Sequence, residues 1–380
     1  MKRSNLTICI VFTAILAVLT LASILNPVRE RSETENRTLA QMPEFSAKTV
    51  FDGSFTKGYE DFVTDQFVAR DFWINLKVNT ERALGRTEIN DVYLGSDGYF
   101  FERKTESDID EDQVAYNLDC YRKFVDGLTE QGINAYVTLA PISAMINEDK
   151  LPFLADEYDF DRICDTAVRE LDERFIELRP VLRMHSDEYL YYRTDHHWTS
   201  DGAYYAYRAI AEKFGFTPLE KSEFTTLDVT DSFFGTVIAR LNIKTEPDTI
   251  KRYDPKDTKL GGITITYNMT DTVKDTFYDE SKLTVYDKYA YFLGGNDPYL
   301  EITTGADSGR VLFLAKDSYA NCLIPFLACH FDKIYVVDLR YFNAHTISFI
   351  SNSCTDVTDA LALYNVSGFA QDRYLIKLAD

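Results

Sequence analysis

The chain has 380 residues with 45% apolar and 14% aromatic content, enough to fill the core of one large domain or two ordinary ones. Its net charge of −21 excludes nucleic acid as a partner, because phosphate binding needs clustered Lys and Arg. The acidity suits solubility outside the cell.

Leu6 to Leu25 is an uncharged apolar run of the length that spans a bilayer as a helix. Lys2 and Arg3 precede it, so the positive-inside rule keeps that end in the cytoplasm and sends the rest outside. The run is longer than a signal-peptide core and lacks a clear small-x-small cleavage site, which favours an uncleaved single-pass anchor over a cleaved signal. Residues 1–26 therefore read as a cytoplasmic stub and anchor, 27–90 as a linker and juxtamembrane helical region, and 91–380 as an extracellular α/β domain. Cys120, Cys164, Cys322, Cys329 and Cys354 would face the outside, an odd number with no C-x-x-C pair, so a cysteine zinc site is not expected.

Phe55 to Leu84 reads as helical, with Tyr59, Phe62, Phe67, Phe72 and Trp73 along it. Val92 to Phe101 reads as strand, turn and strand around Asp97-Gly98. Helices and apolar strands then alternate: a helix over 111–130, a buried strand over 134–140, a helix over 159–177 and a short strand over 181–184. Residues 199–214 form a helix capped by Thr199 or Ser200 and ended by Gly215. Residues 217–305 are rich in Thr, Tyr and Asp and read as a β-rich insertion, with strand-like stretches at 263–267 and 283–293. The alternation resumes with a strand over 311–315, a helix over 321–331, a strand over 334–339 and a last helix over 355–364. Such alternation predicts a three-layer parallel sheet with helices on both faces and a site at the carboxyl ends of the strands.

The richest stretch is Arg193-Thr194-Asp195-His196-His197-Trp198, just ahead of the helix at Thr199. Asp195 and His197 are two apart, so an extended segment would point both to one face. A carboxylate so placed can fix an imidazole tautomer, as in a catalytic triad. The nucleophile must come from elsewhere, and Ser318, in Lys316-Asp317-Ser318-Tyr319-Ala320-Asn321, follows an apolar strand by three residues. A plain helix N-cap is the alternative for that serine. Pro325 belongs in a first helical turn, so 317–321 is expected to be a shaped loop. Gly295 and Asn296 stand on a Gly-rich turn that could offer an oxyanion donor, although turn chemistry explains them equally. Arg340 follows a buried strand and could bind substrate or form a surface ion pair.

The Asp195-His196-His197-Trp198 tetrad, after an anchor and before Lys-Asp-Ser-Tyr-Ala-Asn, resembles the bacterial DHHW protein family. That family looks related to the SGNH-hydrolase-like alginate O-acetyltransferases. Glu35-Asn36-Arg37, Val92-Tyr93-Leu94-Gly95 and Val337-Asp338-Leu339-Arg340-Tyr341 agree with the same pattern. The resemblance implies a permuted SGNH fold, with Ser318 as nucleophile, His197 as base and Asp195 as its orienter. Gly295 and Asn296 then match the oxyanion pair, and His196, Asp317 and Trp198 support the site from behind. Lys316 stands where ordinary SGNH hydrolases carry glycine before Asp-Ser. The implied activity is O-acetyl transfer or acetyl-ester hydrolysis on a cell-surface or exopolysaccharide through an acetyl-serine, without cofactor or metal. By the same analogy, a membrane-bound O-acyltransferase would be the acyl donor. Two other readings are open. One is a metal-dependent hydrolase using Asp195, His196, His197, Asp201 and His185, weakened because neighbouring strand residues face opposite ways. The other is a non-catalytic, membrane-anchored carbohydrate-binding or scaffold protein.

Overall fold

The computed structural model describes residues 3–32, 35, 37–256, 262–268 and 270–379. Lys2 of the positive-inside argument and Asn36 of the Glu35-Asn36-Arg37 match lie outside the described residues. Two compact units emerge: residues up to Asn90 together with Ile238–Lys244, and Asp91–Val237 together with the chain from Thr245 onward.

The first unit contains the helix Arg3–Leu25, within which Asn5–Leu25 is long and apolar enough to cross a membrane and has none of that surface buried in the protein. The aromatic stretch after it forms two helices, Ser54–Asp65 and Arg70–Ala83. They are not continuous because Ala69 takes left-handed backbone (φ 54°), which ends helical hydrogen bonding between them. Glu35 accepts from Arg37 Nε and Arg70 Nη1, both at 2.7 Å, and Arg37 also reaches Asp65. This network ties Glu35 and Arg37 to both helices. Asn242 Nδ2 donates to the Asp71 carbonyl (3.2 Å) and Asn90 Nδ2 to the Arg240 carbonyl (3.0 Å), which draws 238–244 out of the β-rich stretch into this unit.

The second unit is built on an eight-stranded sheet. Its strands in chain order are β1 (Asn134–Ala140), β2 (Phe175–Ile176), β3 (Thr264–Tyr267), β4 (Thr272–Lys274), β5 (Tyr299–Thr303), β6 (Val311–Lys316), β7 (Lys333–Val337) and β8 (Asp359–Asn365). The sheet order is β4-β3-β5-β7-β6-β8-β1-β2. The five strands from β7 to β2 run parallel, and β4, β3 and β5 add an antiparallel edge. Part of the stretch read as an insertion is thus a continuation of the main sheet. Phe224–Phe233 and Asp248–Pro255 form a separate two-stranded ribbon. Alternate residues of β6 feed two cores: Leu312 and Leu314 face one with Trp198 and Tyr204, while Phe313 and Ala315 face the other with Tyr121 and Phe124. That is why β6 is apolar from Val311 to Ala315.

Three elements differ from the sequence reading. Residues 355–364 are not a helix: Asp359–Asn365 is β8, in the middle of the sheet. Ala-Leu-Ala-Leu favours helix by propensity, but a strand buried on both faces shows no period of two, and packing overrides propensity. Residues 181–184 belong to a helix, Arg179–Met184, opened by Pro180, and the strand of that region is Phe175–Ile176 instead. Residues 283–293 are mostly short 3₁₀ turns, Glu280–Thr284 and Lys288–Tyr291, whose aromatics pack inward from irregular backbone.

Candidate functional site

β6 ends at Lys316, and the chain turns at once into a 3₁₀ segment, Ser318–Cys322. Asp317 shapes that turn. Its Oδ1 accepts from Tyr319 N–H (2.9 Å), and its Oδ2 accepts from the Asn365 N–H and Nδ2, both at 2.7 Å. Asn365 is the last residue of β8, so neighbouring strand ends hold the turn between them. The regular helix begins only at Ile324, with Pro325 in its first turn.

Asp195 and His197 reach the same point from a tight loop. Tyr191 and Trp198 form an antiparallel bridge, and the intervening residues are bends rather than strand. The extended geometry that would place Asp195 and His197 on one face is therefore absent. Asp195 instead curls back, accepting from His197 N–H (3.1 Å) and His197 Nδ1–H (2.5 Å) on one oxygen. Thr199 caps the helix Ser200–Phe214 that follows. Ser318 Oγ donates to His197 Nε2 at 2.7 Å, which completes a serine–imidazole–carboxylate chain across 121 residues of sequence.

The electrostatics suit a neutral base beside an ionised acid. Burial works to raise the Asp195 carboxyl. The adjacent imidazoles, the His197 hydrogen bond and the Thr236 N–H (2.8 Å) outweigh it and hold the group well below the usual carboxylate range. Burial, then the neighbouring His196, push the His197 imidazole down to about 4 against the pull of Asp195. Asp195 is thus charged and His197 neutral near pH 7.

The supporting residues come from places the sequence did not single out. Thr236 N–H and Oγ1–H both donate to Asp195 Oδ2. Gly235 passes so close that a Cβ there would fall 2.1 Å from Asp195 Cβ. Asp248 accepts from the Arg193 and Thr194 N–H groups and from Thr194 Oγ1, and Thr194 Oγ1 accepts from Gly235 N–H. Tyr289 stacks on His197 at 3.8 Å, and its hydroxyl donates to the Ser318 carbonyl. Gly235, Thr236, Asp248 and Tyr289 all fall within 217–305, and no local pattern marks them, because their partners are distant in sequence.

The other singled-out residues fall into place unevenly. Gly295 and Asn296 do meet the serine turn: Asn321 Nδ2 donates to Asn296 Oδ1 (3.2 Å) and the Gly295 carbonyl (3.5 Å). Asn296 Oδ1 also accepts from Lys316 Nζ (3.1 Å), so its NH₂ is the group left to donate. Lys316 is fully buried, and that burial lowers its ammonium to about 8. Arg340 grips buried Asp338 through Nε (2.9 Å) and Nη2 (2.6 Å), the ion-pair alternative. Trp198 is buried, with Nε1–H donating to the Tyr319 carbonyl (2.8 Å). His196 is not turned away from His197. Their rings lie 3.9 Å apart because the loop is bent, and His196 Nδ1 bonds Thr236 Oγ1 (2.9 Å). A cavity of about 40 Å³ lies on the Asp195–His196 side, lined also by Phe101, Ser143 and Tyr319.

Asp195, His196 and His197 bring ligand-type atoms within 4.8 Å of one another. Both His197 nitrogens are already engaged, by Asp195 and Ser318. Asp201 and His185 do not join this group: Asp201 pairs with Lys251 (2.8 Å), and His185 contacts Glu188 and stacks on Tyr205.

Solved structures share this fold. A DHHW family protein from Eubacterium siraeum is 23% identical, with a TM-score of 0.64, over 76% of this chain and 95% of that one. Bacillus cereus PatB1 with a sulfonyl adduct is 21% identical, with a TM-score of 0.63, over 77% and 99%. PatB1 without the adduct is 20% identical, with the same TM-score, over 73% and 97%. No curated protein matches the chain. The family model reaches from within the helix Asp161–Leu171 to the end of β7, so it takes in Asp195, His197 and Ser318 but not the stretches at 35–37, 92–95 or 338–341. Over residues 168–337 this chain matches the DHHW protein family, the resemblance that Asp195-His196-His197-Trp198 carries.

Proposed function

We propose that this chain is an extracytoplasmic acyl-transfer enzyme, an O-acetyltransferase or acetylesterase working on a cell-surface or exopolysaccharide. The observation that carries the reading is the hydrogen-bonded chain from Ser318 Oγ through His197 to Asp195. Ser318 Oγ attacks an ester carbonyl while its proton passes to His197 Nε2. His197 then protonates the departing alcohol, leaving an acyl-serine. A sugar hydroxyl or water gives its proton to His197 and takes the acyl group. Asp195 keeps Nδ1 protonated and stabilises the imidazolium. Asn296 Nδ2 is the proposed oxyanion donor, with Gly295 allowing close backbone approach. The apolar helix anchors the domain with its N-terminus inside, and a membrane-bound O-acyltransferase would deliver the acyl group on the outer side. Residues 91–380 are the catalytic domain and 27–90 the link to the membrane.

One observation favours the non-catalytic alternative, a carbohydrate-binding or scaffold protein. Tyr319 N–H, the donor that follows the serine, is bonded to Asp317 rather than left for an oxyanion. The sulfonyl adduct of PatB1 suggests the probe that separates the two readings. A sulfonyl fluoride should label Ser318 in the wild-type chain and fail on Ser318→Ala, and wild type should release acetate from p-nitrophenyl acetate while Ser318→Ala and His197→Ala do not. An unlabelled, inactive but folded protein would eliminate the enzyme reading. Activity that survives Ser318→Ala but not a chelator would point to a metal on Asp195, His196 and His197.

A further inference from the structure

The stretch after the apolar helix carries an aromatic surface. Among the described residues, 42–84 expose ten large hydrophobic side chains, as many as the whole chain beyond residue 90. Phe51 is 90% exposed, Phe45 75%, Phe72 59% and Trp73 42%. Apolar exposure this concentrated marks a contact surface.

Hydrogen bonds fix this surface to the exit of the apolar helix. Val68 N–H donates to Ser23 Oγ (3.3 Å), and Asn26 Nδ2 donates to the Gln66 carbonyl (3.2 Å). Gln66 Nε2 donates to the Ala40 carbonyl (3.1 Å), which brings in the chain leading to Phe45 and Phe51. Residues 66–68 therefore sit level with the last turn of the apolar helix. Phe72 and Trp73 are in the first turn of Arg70–Ala83, within roughly 10 Å of Val68 along the backbone. The headgroup layer on one side of a bilayer is roughly 5–8 Å deep, a comparable span.

Charge points the same way. Residues 27–90, the part of this stretch outside the membrane, hold nine basic and eleven acidic side chains, a net charge of −2 against −21 beyond residue 90. Anionic headgroups repel a strongly acidic surface far more than this nearly balanced aromatic one. Rings with one apolar and one polar side favour that layer.

We propose that Phe72 and Trp73, exposed in the first turn of Arg70–Ala83, bed into the lipid headgroup layer where the apolar helix leaves the bilayer. This rests on the reading of that helix as a membrane anchor. The partner is lipid, and the contact holds residues 66–73 at the membrane surface.

The chain has two tryptophans, and Trp198 is buried, so Trp73 is the indole that lipid can reach. The full chain is reconstituted into phosphatidylcholine vesicles brominated high on the acyl chains and floated on a density gradient after an alkaline wash. Floated wild type should lose the Trp73 part of its emission relative to unbrominated vesicles, and Trp73→Phe should lose no emission on bromination. The retained Trp198 signal of that variant reports that the second unit is folded. A chain that floats with unquenched Trp73 overturns the lipid contact alone and points to a membrane-protein partner. A chain that does not float overturns the anchor, and this proposal with it.

Discussion

The two units of this molecule use the same aromatic vocabulary in opposite ways. In the second unit, Trp198, Tyr204, Tyr319 and Tyr364 are buried against a sheet that is apolar on both faces. In the first unit, Phe45, Phe51, Phe72 and Trp73 stand out of the surface, and its two longer helices after the apolar one bury only Asp65 and Val78 between them. The net charge divides the same way: residues 1–90 balance, and the −21 falls beyond them. An aromatic residue in a sequence is thus no evidence of a core by itself. A sheet that can take both faces of a strand makes it one, and two short helices without such a sheet leave the ring exposed.

The largest effect expected from breaking this contrast is at the serine. Ser318→Ala should cost acyl transfer by about 10⁴- to 10⁶-fold if the triad works as a unit, with vesicle flotation unchanged, as read by acetate release and gradient position. A core substitution comes next. Leu314→Ala, fully buried in β6, should destabilise the second unit by about 2–5 kcal/mol in chemical denaturation. Gly235→Ala drives a Cβ into Asp195 and should cost about 1–3 kcal/mol, together with a loss of activity greater than that stability change explains. Unaltered kinetics in Gly235→Ala would mean the Asp195 contact has no bearing on the reaction.

The pH profile tests the electrostatics of the same loop. A neutral His197 is the working base, so kcat/KM should fall as pH drops through about 4 rather than through the ordinary imidazole range. His196 helps depress His197, so His196→Gln should move that acid limb upward; a limb that stays or moves down would refute the coupling. The smallest effect belongs to the first unit. Phe51→Ser removes a side chain that is 90% exposed, and the unfolding free energy of the first unit should shift by no more than about 0.5 kcal/mol.

Much of this was readable in advance. The apolar strands at 134–140 and 311–315, the helix at 111–130 and the Thr199 cap all follow from local pattern. The Asp-His-His-Trp tetrad and the serine after β6 were recognisable as chemistry because their residue types are uncommon in combination. The strand at 359–365 was not readable: its Ala-Leu alternation is compatible with helix, and only a place between β6 and β1 makes it extended. The bent loop at 194–198 was also missed, because the hydrogen bonds that bend it come from Asp248 and Thr236, about forty to fifty residues away.

The sequence by itself therefore determined the apolar helix, the parallel sheet and the residue types that meet at the site, since each depends on short-range periodicity or residue chemistry. Tertiary structure alone decided that Ser318 meets His197 at 2.7 Å, that Gly235 and Thr236 hold Asp195, and which aromatics are buried. Those outcomes depend on contacts between residues tens to more than a hundred positions apart, and no local pattern encodes which distant backbone will arrive.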